Sequence, residues 1–124
     1  MWEYRARAVR VHDGDTLTIE ADLGFSARVE IDVRLADVWA PELDERGGPE
    51  TRQHLRDLIA AATGKWPLTV TTERVRSDER EVRTFTRYVA TVLVHCATGV
   101  HNVSDVVAAF VAERGYGGGT GARA

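Results

Sequence analysis

Between Phe25 and Leu35 the chain alternates without a break, with Phe25, Ala27, Val29, Ile31, Val33 and Leu35 set against Ser26, Arg28, Glu30, Asp32 and Arg34. Neighbouring side chains of a strand point to opposite faces. A period of two therefore commits the segment to a β-strand that turns its apolar face to a core and leaves Arg34 on the other face. Two earlier stretches carry shorter versions of the pattern. Tyr4, Ala6 and Ala8 alternate with Arg5 and Arg7, and Arg10 follows one step past Val9; Leu17, Ile19 and Ala21 alternate with Thr16, Thr18 and Glu20. Asp13-Gly14 between them is a hairpin signal, because both residues tolerate positive φ.

A loop over 39–47 ends at Gly48-Pro49-Glu50, which reads as a helix start: proline suits the first helical position and glutamate the positive end of the dipole. Leu55, Leu58, Ile59 and Ala62 recur at helical spacing, and Gly64 is placed to end the helix. Strands are predicted around 68–72 and 85–94, with a charged loop over 73–83 between them. A second helix is predicted from the cap residue Asn102, with Asp105 three positions on. It turns Val103, Val106, Val107, Phe110 and Val111 inward and stops at Gly115. Three strands, a helix, two strands and a helix make a mainly β fold with some α. That order is the one needed by a five-stranded, partly open barrel of the oligonucleotide-binding type. Residues 1–116 are expected to form this domain, and the glycine-rich 117–124 a flexible tail. The glycine run resembles a phosphate loop only superficially, since no strand leads into it and no helix follows.

A chain of 124 residues holds one core of this kind and not two. With 44% hydrophobic and 28% charged residues it is neither a disordered chain nor a membrane protein. The formal net charge of -3 argues against binding nucleic acid through bulk positive charge, and leaves room for a small local site. The single cysteine, Cys96, allows no intramolecular disulfide and no cysteine-based zinc cluster. His12, His54, His95 and His101 show no ligand spacing to one another, so a metal here would rely on oxygen donors. Met1-Trp2-Glu3-Tyr4 lacks the basic segment and long apolar run of a secretion signal, so a cytoplasmic setting is expected.

Three local features bear on chemistry. Taken alone, His12-Asp13-Gly14-Asp15-Thr16 is also what an ordinary hairpin turn contains, Arg34 is also an ordinary solvated strand residue, and Pro41-Glu42-Leu43-Asp44-Glu45 is also an acidic surface loop. Together they describe a type of site. Carboxylates suit a hard divalent cation, and the guanidinium fork suits phosphate because it bonds two oxygens at once. An acid-rich turn, a loop acid and strand arginines can cleave a phosphodiester.

The ordered pieces Val11-His12-Asp13-Gly14-Asp15-Thr16, Val33-Arg34-Leu35-Ala36-Asp37-Val38-Trp39-Ala40-Pro41-Glu42 and Gly48-Pro49-Glu50-Thr51 resemble the staphylococcal nuclease-like family. The family fold is the same barrel. The resemblance implies cleavage of DNA or RNA with calcium, magnesium or manganese being the other cations considered. It makes Asp15 a metal-ligating carboxylate, Asp13 an acid just outside it, and the Ala40 carbonyl a further metal oxygen. Glu42 takes the place of the carboxylate that activates or orients the attacking water. Arg34 is matched to the arginine that holds the scissile phosphate. The family's second arginine lies in an Asp-x-Tyr-Gly-Arg segment, read here as Arg83-Thr84-Phe85-Thr86-Arg87, so Arg87 corresponds.

The departures from the pattern are as informative. Trp39 stands where the family has its second metal carboxylate, and indole cannot ligate calcium. The affinity expected is weak, with a dissociation constant on the order of 10⁻⁴–10⁻³ M or poorer unless Asp37, Asp44 or Glu45 compensates. Phe85 and Thr86 replace the tyrosine and glycine of the arginine segment, and no counterpart of the family's third helix is expected within these residues. Trp39, with Phe85, also suits base stacking at the mouth of a barrel, or Trp39 simply packs against its own loop. The alternative to a nuclease is thus a catalytically impaired nucleic-acid-binding barrel. DNA or RNA is the expected partner, no membrane is involved, and a monomer is expected.

Overall fold

The computed structural model describes residues 2–72 and 87–116. Its elements are β1 (Trp2–Asp13), β2 (Thr16–Gly24), β3 (Ala27–Leu35), α1 (Gly48–Ala60), β4 (Leu68–Thr72), β5 (Arg87–Cys96), β6 (Gly99–Asn102) and α2 (Val103–Arg114). The first three strands form an antiparallel meander; β1 also pairs with β4, β4 with β5, and β5 runs parallel to β3. That last pairing closes five strands into a barrel.

Closure is possible because every strand offers the interior a row of small or branched apolar groups. Ala6, Leu17, Ile19, Val33, Leu35, Leu68, Val70, Ala90, Val92 and Val94 are all buried there. Leu55 and the fully buried Thr51 of α1, with Val103, Val107 and Val111 of α2, add to the same core. The rings of His54 and Phe110 stack 4.1 Å apart and join the two helices.

The structure corrects three expectations. The alternation from Phe25 is only half used: Val33 and Leu35 are buried and Ile31 partly so, but Ala27 and Val29 are exposed and Phe25 wholly so. Phe25 and Ser26 adopt positive φ and form the turn between β2 and β3, and among the described residues no other helix or strand covers the outer part of that hairpin. The first helix ends at Ala60, before Gly64, because the Thr63 N–H leaves the helical pattern and donates to the His95 carbonyl on β5 at 2.9 Å. A sixth strand was not expected. β6 pairs with Leu93–Cys96, the part of β5 beyond the stretch that faces β3, and so covers backbone groups that β3 leaves open.

The second helix starts as the sequence predicts. Asn102 accepts the N–H groups of Ser104 and Asp105 at 2.9 and 3.4 Å, and Gly115 closes the other end with φ of 70°. Its Ser104 hydroxyl donates to the Ala36 carbonyl at 2.7 Å, which fixes the start of the loop after β3. No described helix is long and apolar enough to cross a membrane. Phe85, the charged loop over 73–83 and the tail 117–124 lie outside the described residues.

Candidate functional site

The β1–β2 turn, the end of β3 and the loop after it meet at Asp15. The turn closes where Asp13 pairs with Thr16, and the Asp15 N–H donates to the Asp13 carboxylate at 3.0 Å. The Asp15 carbonyl accepts the Leu35 N–H at 2.8 Å, which docks the turn on the end of β3. Register then pairs Thr16 with Arg34, so that the Arg34 Nη2 comes within 3.8 Å of the Asp15 Oδ2. The same oxygen accepts the Ala40 N–H at 3.1 Å, and Oδ1 accepts the Thr16 hydroxyl at 3.2 Å.

Asp15 is only 8% exposed. Burial, followed by the adjacent Asp13 carboxylate, pushes its carboxyl up from 3.8 to about 6, against the opposing pull of the Ala40 N–H and Arg34. The carboxylate is therefore held by the protein and poorly neutralised by it.

Gly14 is required by space and not by conformation. Its φ is not positive, contrary to the hairpin expectation. A Cβ there would lie 2.5 Å from the Thr51 Cγ2 and 2.6 Å from the Ala40 Cβ. The missing side chain is what lets turn, loop and helix α1 converge on Asp15. Gly14→Ala is expected to cost about 1–3 kcal/mol, because the Ala40 methyl cannot move without its backbone. Urea unfolding measures this directly, and an unchanged midpoint and slope would show that the three elements have room to spare.

Glu42 lies two residues past Ala40, exposed, in a turn that its backbone shares with Glu45. The Glu42 N–H donates to the Glu45 Oε1 at 2.8 Å, and the Glu45 N–H donates to the Glu42 carbonyl at 2.9 Å. Gly48 packs directly on that carbonyl, where a Cβ would collide with the backbone. The turn is thus fixed while its Glu42 carboxylate makes no hydrogen bond or ion pair with another described residue. Trp39 is half-buried and packs against the core. Arg87 opens β5 with its backbone in register with Asp32, on the strand beside the one that carries Arg34.

Asp15, Ala40 and Arg34 are therefore brought together, Asp13 adjoins them, and Glu42 sits on the same loop as Ala40. Sequence reasoning gave Thr16 no role, and it supplies a hydroxyl to Asp15. Asp37, considered there as a compensating ligand, has a φ of 61° and adopts a left-handed conformation in the loop that returns Ala40 to the turn. Also missed is a neighbouring chain of contacts in which the Thr18 hydroxyl donates to Asp32 at 2.6 Å. Its only proton is thereby used, so it accepts from the His12 Nε2 at 2.8 Å.

Among the described residues no group of three or more His, Cys, Asp or Glu side chains forms a metal cage. The donors present do fit a sparsely held divalent cation. Two adjacent acids, one of them buried and under-neutralised, favour added positive charge, and water or phosphate oxygens can complete the shell.

The fold and its mouth define a closed five-stranded barrel of the oligonucleotide-binding type, with an acid and an arginine juxtaposed where three elements converge. No model of a known protein family matches the chain. A stretch of 56 residues is 41% identical to the micrococcal nuclease of Shigella flexneri, which is 45% of this chain and 29% of that protein. The chain thus matches less than a third of that relative's length. This similarity and the barrel together fit the staphylococcal nuclease-like family.

Proposed function

We propose that the protein hydrolyses phosphodiester bonds of DNA or RNA with a divalent cation. The observation that carries the reading is the Arg34–Asp15 pair, 3.8 Å apart at the meeting point of turn, strand and loop. The similarity to a micrococcal nuclease supports it. Asp15 and the Ala40 carbonyl would hold the cation, with Asp13 just outside. Calcium follows from the family resemblance, and a set of one or two carboxylates also suits magnesium or manganese. When bound, the cation would supply charge that offsets the negative charge on the phosphate.

The chain's own residues do the rest. Arg34 offers its fork to the scissile phosphate, and does so beside a carboxylate that keeps it oriented until substrate arrives. Arg87 serves as the second clamp. Glu42 holds and orients the attacking water and accepts its proton; its fixed backbone and uncommitted carboxylate are what that task requires.

The test is cleavage of single-stranded DNA and RNA in calcium, magnesium or manganese, with Glu42→Gln alongside. Glu42→Gln is expected to lower kcat by about 10²–10⁴ while leaving binding intact. Equal inertness of the two proteins, with both binding DNA, would establish the second reading, a nucleic-acid-binding barrel that has lost catalysis. Trp39 favours that reading, since an apolar ring packed on the core stands where the family resemblance calls for a metal carboxylate.

A further inference from the structure

On the barrel wall next to the candidate site, β1 and α1 enclose a shallow groove of about 290 Å³. It is lined by the apolar Ala8, Val9, Val11, Ile59 and Ala60 together with Arg10 and Arg56. The pairing of β1 with β2 shifts register between Ala8 and Arg10, and Val9 at that shift is half exposed, so an apolar side chain is left open to solvent.

Arg10, on β1, and Arg56, on α1, differ from the two preceding arginines of β1. Arg5 pairs with Asp22 at 2.6 Å and Arg7 with Glu20 at 2.7 Å, whereas neither Arg10 nor Arg56 has a carboxylate partner among the described residues. Arg52, one turn before Arg56, donates its Nε to the Val11 carbonyl at 3.2 Å and ties the helix to the strand at the end of the groove nearer the site. Both walls lead to the site: β1 runs from Arg10 to Asp13 over about 10 Å, and Thr51 of α1 is one of the residues against which Gly14 packs.

Positive charge with no carboxylate partner among the described residues, beside apolar side chains, complements a ligand that is anionic and partly apolar. A single-stranded nucleic acid has both properties, because its phosphates are exposed and its base faces are free to stack, while a duplex hides those faces. The volume lies just below the roughly 300–1,000 Å³ usual for ligand pockets, which suits one nucleotide of a longer strand better than a whole ligand. A barrel of this type engages about 4–16 nucleotides, so contact beyond the scissile phosphate is within its ordinary span.

We propose that the β1–α1 groove is a second contact surface for a single-stranded nucleic acid, taking phosphates on Arg10 and Arg56 and a base on Val9 and Ile59. The proposal rests on the nuclease reading for the nature of the ligand, and it gives a protein of net charge -3 a local basic surface, unpaired among the described residues, that the overall composition conceals.

The experiment measures binding of a labelled 12-nucleotide single-stranded DNA in EDTA, at several salt concentrations, for the wild type, Arg10→Ala/Arg56→Ala and Arg10→Lys/Arg56→Lys. Both side chains are exposed, and a matching melting temperature checks that the fold is kept. The alanine pair is expected to bind about tenfold more weakly. Its plot of log K against log salt should be shallower by about 1.4, the value for two lost phosphate contacts on a single strand. The lysine pair should retain the slope. Cleavage of a dinucleoside monophosphate, whose one phosphate is taken at Arg34, should be the same in all three. An unchanged slope in the alanine pair, with the wild type binding the strand normally, overturns the groove and leaves the nuclease reading standing. A wild type that neither binds nor cleaves single strands overturns both.

Discussion

Replacing Arg34 with alanine is expected to slow phosphodiester cleavage by about 10³–10⁵, the range found for arginines that stabilise charge in phosphoryl transfer. The physical basis is the position of the guanidinium. It sits 3.8 Å from the Asp15 carboxylate, close enough to be oriented and too far for a tight hydrogen bond, so its fork can turn to an arriving phosphate. Arg34→Lys should recover little of the loss, since a point charge cannot bond two phosphate oxygens in one plane. Steady-state kcat on single-stranded DNA decides the matter, and a drop of less than about tenfold would remove Arg34 from the phosphate site. Thermal stability should hardly move, because the side chain is 41% exposed and its ion pair is partly solvated.

The second large effect concerns Asp15 in protein stripped of divalent cations. Its carboxyl is raised from 3.8 to about 6, so between those values the folded state binds more proton than the unfolded chain. Stability from this group is fully present below about pH 4, is lost as pH rises through about 6, and stays lost above it. Asp15→Asn keeps an acceptor for the Ala40 N–H but carries no charge. The variant is therefore expected to gain on the wild type by up to about 3 kcal/mol between pH 4 and pH 7.5. Chemical denaturation across that range measures the difference, which cancels contributions from other titrating groups such as Asp22. A difference that stays flat with pH would show that burial does not disfavour the Asp15 charge. The same variant should be inactive in any cation, so stability and activity move in opposite directions, as expected where a site stores unfavourable charge for function.

Much of the barrel is legible in the chain because strand patterning is local. Leu17, Ile19, Val33 and Leu35 alternate in sequence and all four are buried, and the Asn102 cap begins α2 where the spacing of its apolar residues implies. Legibility ends where a partner decides. Ala27 and Val29 carry the same alternation as Val33, yet among the described residues no other element covers their part of the hairpin. The end of α1 depends on a carbonyl of β5, and β6 on the stretch of β5 that β3 does not reach. None of these partners lies within a window of neighbouring residues.

The acids and arginines of the site were legible as residue types, and their spacing pointed to a family. The sequence by itself determined that Asp13, Asp15, Arg34 and Glu42 stand at strand ends and loops, because local alternation and turn chemistry place them there. Only the tertiary structure decided that the Arg34 guanidinium and the Ala40 N–H meet on one oxygen of Asp15, and that Gly14 is there to let them meet. It also decided that Arg10 and Arg56, 46 positions apart in the chain, line one groove. Strand register and the docking of a helix on a barrel are fixed by burial summed over the whole core, and that sum exists only once the sheet has closed.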